Sequence, residues 1–311
     1  MDNRGADVQK QPIQIAAQKG FLVSFGLRLW REKPLGFLGA VITLVFLLTG
    51  IFAGFLAPYG YNDIDPVKHL MPPSFENLLG TDNLGRDLLS RVIYGARVSV
   101  IIGLSATTLS IVVSVFIGVI TGFFGGMVDL ILQRFVDTWM CFPGLIVLIV
   151  AISVLGTGTW QVIVVLGLLY GIGGSRVIRG ATVSIKENTY VQAARMIGAS
   201  NTRVILFHVL PNMMAPIIIL FSVRIAAVIL VEAVMSFLGL GVPPPIPSWG
   251  GMLNAQGRMY LTKAPLLGIA PGVALALVVY GINVFGDALR DILDPRLRGG
   301  IGSFAESVKK K

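Results

Sequence analysis

Cysteine is almost missing from this chain: Cys141 stands alone among 311 residues. An intrachain disulfide is therefore impossible, and a cysteine metal cluster is excluded with it. Histidine is nearly as scarce. His69 and His208 are far apart in sequence, which argues against a histidine metal site. Charged residues make up 13% of the chain, about half the roughly 25% of soluble domains. The phosphate-cradling pattern G-x-x-x-x-G-K-[ST] is absent; Gly171-Ile172-Gly173-Gly174 lacks both the lysine and the strand–helix setting. Neither H-E-x-x-H nor G-x-S-x-G occurs. The expectation is a chain with no catalytic site, no metal and no cofactor of its own, unable by itself to hydrolyse ATP.

What is abundant is apolar surface, at 54% of residues. Six runs are long enough to cross about 30 Å of hydrocarbon at roughly 1.5 Å per residue. They are 34–57, 97–123, 128–155, 160–178, 213–238 and 265–289, the third interrupted by Pro143-Gly144. This predicts an all-α integral membrane protein with six transmembrane helices. Basic residues orient it. With the N-terminus inside, the inner segments hold 18 Lys and Arg and the outer ones 6, with Arg224 inside a span. That bias places both termini in the cytoplasm. It also accounts for the net charge of +9 without invoking nucleic acid. The chain then divides into a cytoplasmic tail 1–33, a first transmembrane helix 34–57, an external segment 58–96, a five-helix core 97–289 and a cytoplasmic tail 290–311. Within the core lie a cytoplasmic loop 181–212 and an external loop 239–264. Residues 1–34 are polar and mixed in charge, so the first span is expected to direct insertion without a cleaved signal. In the external loop, Pro243-Pro244-Pro245 and Pro247-Ser248-Trp249-Gly250 predict stiff, non-helical backbone with an aromatic at the membrane surface.

The loop 181–212 is a polar, basic island between apolar runs. Thr189 and Gln192 have capping-box spacing. Tyr190 to Ile197 are mostly good helix formers, and Gly198 fits a left-handed stop. Ser200 can cap a second short helix that Pro211 ends. Ala193 and Ala194 leave one side of the first helix thin, open to close approach by a partner.

Four stretches carry a resemblance. They are Gly80-Thr81-Asp82-Asn83-Leu84-Gly85-Arg86-Asp87-Leu88-Leu89-Ser90-Arg91, the loop from Tyr190 to Pro211, Glu232 to Gly241 running on to Trp249-Gly250, and Asp287 to Arg296. Together they resemble the permeases of binding-protein-dependent ABC importers of the dipeptide, oligopeptide and nickel class, most closely the "C" component of the heterodimer. The resemblance implies a type I ABC importer permease fold in the bacterial plasma membrane. It implies a second homologous six-span permease, two ATPase subunits that use ATP and Mg, and an extracytoplasmic binding protein. It assigns ATPase coupling to Tyr190, Gln192, Ala193, Ala194, Arg195, Gly198, Ala199, Leu210 and Pro211. Gln192 stands where the family usually has an acidic residue, so a salt bridge to the ATPase is not expected there. Di- or oligopeptides are the implied cargo; nickel chelates, glutathione-like peptides and sugars are carried by similar permeases.

Arg224, Glu232 and Ser236 in the fifth run are candidates for the translocation path, because ionisable residues at membrane depth face a bundle interior or water. Asp82, Arg86, Asp87 and Arg91 form either a local salt-bridge set or a docking site for the external binding protein. Asp129, Arg134 and Asp137 are expected to hold the inner end of the third span against the coupling segment. Asp287, Arg290, Asp291 and Asp294 end the sixth. Two other functions compete. A stand-alone secondary transporter would show internal repeats, and an intramembrane enzyme would show a catalytic set; the sequence has neither.

Overall fold

The computed structural model describes Gly26 and residues 29–293. The tails expected at 1–33 and 290–311, Asp294 included, fall largely outside the described residues. Among the described residues, five helices are long and apolar enough to cross a membrane: α1 (Pro34–Ile51), α3 (Leu88–Phe124), α6 (Thr159–Lys186), α10 (Met214–Phe237) and α12 (Leu266–Leu293). Between α1 and α3 lie a short turn of α-helix, α2 (Ala53–Leu56), and a 3-10 turn (Pro66–Lys68). The predicted third span is no straight helix. It consists of α4 (Gly126–Met140) and α5 (Gly144–Leu155), bent by 87° at the break. Pro143 lacks an N–H and pushes Phe142 out of helical geometry, so the run cannot continue through it. The crossings number five, or six if the bent pair makes one.

The second span starts earlier than expected. Asp87 caps α3 by accepting from the Ser90 N–H at 2.7 Å, so residues 88–96 are helical and continuous with the span. At 37 residues α3 is about 55 Å long, longer than the hydrocarbon is thick. It ends at Gly125 and Gly126, both at positive φ, which allow the tight turn into α4.

Small residues bring the spans together. α3 and α6 pack along Gly118 and Gly122 on one side and Gly167, Gly171 and Gly174 on the other. The Ser114 hydroxyl donates to the Gly171 carbonyl at 2.8 Å across this seam. Such stripes let helix backbones approach where lipid offers no hydrophobic driving force. α1 meets α12 in the same manner: a Cβ on Gly39 would lie 2.6 Å from the Gly281 carbonyl oxygen. At one end of that pair Lys33 bonds Asp291 at 2.7 Å.

The loop after α10 holds a correction. Trp249 does not lie at a membrane surface. It is buried, opening the short helix α11 (Trp249–Met252), and its indole N–H donates to the Val92 carbonyl at 2.9 Å. Phe46 packs against its ring and Gly95 leaves the space it fills. The loop is thereby pinned across the top of α1 and α3 rather than laid on lipid.

Candidate functional site

The polar island folds as α7 (Thr189–Met196), a turn, and a second helix made of α8 (Asn201–Val204), a π turn (Ile205–Val209) and α9 (Leu210–Asn212). The capping box does not form. Asn188 is the N-cap, Thr189 is already helical, and the Gln192 amide donates instead to the Glu187 carbonyl at 3.2 Å. The stop is as expected. Gly198 has φ +81, Ala199 N–H bonds the Ala194 carbonyl at 3.1 Å and Gly198 N–H bonds Arg195 at 3.0 Å. This is the Schellman closure, which needs a left-handed residue at that place. Ser200 caps the second helix by accepting from the Arg203 N–H. Pro211 does not end it. The helix shifts to i→i−5 bonding, with Leu210 N–H on Ile205, and the proline falls where the register returns to α, so its missing N–H costs little. One spare carbonyl, that of His208, is taken by the Asn212 amide at 2.7 Å.

One face of this unit is fixed to the spans. Val191, Ala194, Val204, Val209 and Met213 are buried against Val119 and Phe123 of α3 and Ile178 of α6. The Arg195 guanidinium lies 4.6 Å from the Phe123 ring centre, a cation–π contact that ties α7 to the end of α3. Ala194 therefore faces inward, and only Ala193 contributes a thin outer side; the two alanines do not form one open face. The outer face is apolar where it protrudes: Met196 and Ile197 are each 86% exposed, and Phe207 is exposed beside Leu206. Tyr190 lies towards this outer side, and Ala199 and Leu210 pack on the edge of the inner cluster.

The acidic residues of α4 do not reach the island. Asp129 takes a two-pronged grip from Arg179, with Nε–Oδ1 at 2.6 Å, and Asp137 pairs with Arg176 and, at 3.7 Å, with Arg134. Sequence reading missed the two arginines as partners because they lie about forty to fifty residues away on α6. Their three-residue spacing, which puts both on one helix face, was the available signal.

The path candidates separate. Arg224 is half-buried. Its Nη1 donates to the Tyr170 carbonyl at 2.8 Å and its guanidinium lies 5.1 Å from the Tyr170 ring centre. It lines a cavity of about 390 Å³ at the α4–α5 break. Glu232 does not line a path within this chain: it is 0% exposed and accepts from the Ser236 hydroxyl at 2.7 Å. The same hydroxyl accepts weakly from the Val242 N–H at 3.3 Å, so the pair anchors the loop after α10. Ser236 touches the margin of a second cavity, about 750 Å³, under the proline-rich loop.

The quartet at 82–91 is buried as well. Of the four only Arg91 lies within a helix, since α3 begins at Leu88. Asp82 accepts from Arg86 Nε at 2.8 Å and from the backbone of Leu84 and Arg86, and lies 3.5 Å from Arg91 Nε. Asp87 takes the Asn77 amide at 2.9 Å and caps α3. Arg91 reaches the Tyr61 carbonyl at 2.9 Å. These bonds knit the segment 58–87 to the start of α3, which is the salt-bridge reading; exposed docking contacts would need free faces. Nearby, the exposed Lys68–Glu76 pair holds the Glu76 carboxyl below its ordinary range by a direct hydrogen bond.

Long apolar helices with a short helical unit packed against α3, α6 and α10 are the frame of a multi-pass membrane protein. The chain belongs to the family of binding-protein-dependent transport system inner membrane components, whose pattern matches residues 114–299. Residues 26–73 match a further pattern, the N-terminal transmembrane domain of oligopeptide transport permease C. It is similar to the dipeptide transport system permease protein DppC of Alkalihalophilus pseudofirmus, 34% identical over 86% of this chain and 90% of the relative. It is 35% identical to the glutathione transport system permease protein GsiD of Escherichia coli, over 88% and 90%. A chain from an inward-facing structure of the MetNI methionine ABC transporter shares the fold, with TM-score 0.50 and 18% identity over 67% of this chain and 96% of that one. The protein is thus a multi-pass inner-membrane permease of an ABC importer and a non-catalytic component of its transport system.

Proposed function

We propose that this permease forms, with a second permease, the translocation path of a di- or oligopeptide importer, and that α7 to α9 transmit the motion of two partner ATPases to the spans. ATP and Mg are used by those partners, and an extracytoplasmic binding protein delivers the cargo. The observation that carries the reading is the two-faced lever at 189–212. Its inner side is built into the core of α3, α6 and α10, while Met196 and Ile197 project an apolar tip outward. A tip that none of the described residues covers suits a groove on another subunit, and the inner welding means that a push on the tip moves whole helices. Such a push biases the permease only through contacts that differ between its states. The peptide assignment is supported by the names of the two relatives above. Ile197→Asp is expected to lower ATPase co-purification about tenfold or more, since a buried unpaired charge costs several kcal/mol, while the permease stays in the membrane. Unchanged co-purification would remove the docking role.

The topology belongs to the same proposal. Six crossings with both termini inside are supported by the Lys33–Asp291 bond, which brings the start of α1 and the end of α12 to one end of the bundle. Arg290 and Leu293 share a cavity with Asn212 at that end, so the lever lies there too. A cysteine placed at Glu76 is expected to react with an impermeant reagent in sealed cells, and one placed at Ser200 is expected not to. Labelling at Ser200 would invert the arrangement.

A further inference from the structure

Arg224 is the eleventh residue of α10, about 15 Å along it and so near mid-membrane. Both of its neutral partners belong to Tyr170. No ion pair forms at Arg224 among the described residues. Asp137 is paired with Arg176 and Arg134, and Glu232, two turns along α10, accepts from Ser236 through Oε1 while its Oε2 is buried without a partner; neither forms an ion pair with Arg224. A half-buried cation with only dipoles and a ring for company is costly at this depth. It persists where an anion visits it.

The cavity beside Arg224 has the shape for such a visitor. It holds about 390 Å³ and is walled by Trp139, Phe142, Leu145 and Tyr170. Trp139 is one of its wall residues, and its indole N–H, itself buried, has no acceptor. The opening coincides with the 87° break between α4 and α5. A guanidinium offers a planar fork that fits a carboxylate two-pronged, and aromatic walls suit short apolar side chains.

We propose that Arg224 is the anion-binding residue of a carboxylate subsite in this cavity, which takes the terminal carboxylate of the transported peptide as it crosses. The inference rests on the peptide reading above and adds the group of the substrate that is recognised and the residue that recognises it.

The test uses the assembled permease–ATPase complex without the external binding protein, with alanyl-alanine and its C-terminal amide as probes. Ligand bound to the folded complex raises its melting temperature by mass action. The acid is expected to stabilise the wild-type complex, with the amide at least about tenfold weaker because the amide leaves the guanidinium unpaired. Arg224→Met should abolish that discrimination, Arg224→Lys should keep part of it, and Trp139→Phe should weaken binding of the acid. If Arg224→Met does not assemble, the comparison of wild type with Arg224→Lys and Trp139→Phe decides. Equal stabilisation by acid and amide, no stabilisation by either, or full discrimination in the substituted complexes would overturn the subsite. Loss of the second permease on Arg224→Met, recovered by Arg224→Lys, with no discrimination in wild type, would assign the guanidinium to a partner's carboxylate instead. Uptake of labelled alanyl-alanine by cells carrying the whole system, run in parallel, separates the two claims. Uptake without discrimination leaves the peptide reading standing and removes the role of Arg224.

Discussion

Gly198→Val is expected to cut uptake at least about tenfold while the partner ATPases still hydrolyse ATP, because it costs roughly 1.4 kcal/mol or more of lever geometry. Gly198 has φ +81 with nothing within 4 Å of where a Cβ would stand. The effect therefore comes from the backbone alone and not from a clash. A left-handed residue with a Cβ costs about 1–2 kcal/mol, and a β-branched one is the worst fit. To relieve that strain the chain must give up the Ala199–Ala194 and Gly198–Arg195 bonds, and the turn carrying Met196 and Ile197 moves with them. Gly198→Asn, which tolerates this conformation, should retain most of the coupling. Uptake and ATPase rates measured together in proteoliposomes check both. Wild-type uptake in Gly198→Val would mean that the helix stop is not part of the transmission.

Gly118→Leu is expected to remove the permease from the membrane altogether. A Cβ there would lie 2.6 Å from the Ser175 carbonyl oxygen and 2.7 Å from the Ile178 Cβ. The carbonyl is helix backbone and cannot rotate away, so α3 and α6 must part. Overpacking a tight core costs about 1–3 kcal/mol when side chains can yield; here the yielding group is a whole span. Parting also breaks the Ser114–Gly171 bond and uncovers the glycine seam. Membrane abundance and gel-filtration profile report the outcome. Gly180→Leu on the partner helix α6 is the control, since a Cβ at Gly180 meets nothing within 4 Å. Normal abundance of Gly118→Leu would show that the seam is more adaptable than its geometry indicates.

The sequence by itself determined the class and the lever. Apolar length, scarce charge and basic bias are one-dimensional properties, and each is set by what a bilayer tolerates. The helix–Gly198–Ser200 order of the island is local chemistry, so it was legible residue by residue. Some local expectations were not met. Asn188 took the N-cap position without a side-chain cap bond, and Pro211 was accommodated after a π turn, where a register shift leaves its missing N–H at little cost. What only the tertiary structure decided is which charges and aromatics meet. Asp129 finds Arg179, Glu232 closes on Ser236, Trp249 plugs the space at Gly95, and Arg224 is left with Tyr170 alone at a cavity. A side chain's partner depends on helix rotation and on where the glycine seams let backbones touch, over separations of up to 157 residues. In a membrane each of those pairings settles whether a polar group is satisfied or still waiting for a ligand, and no spacing along the chain encodes that.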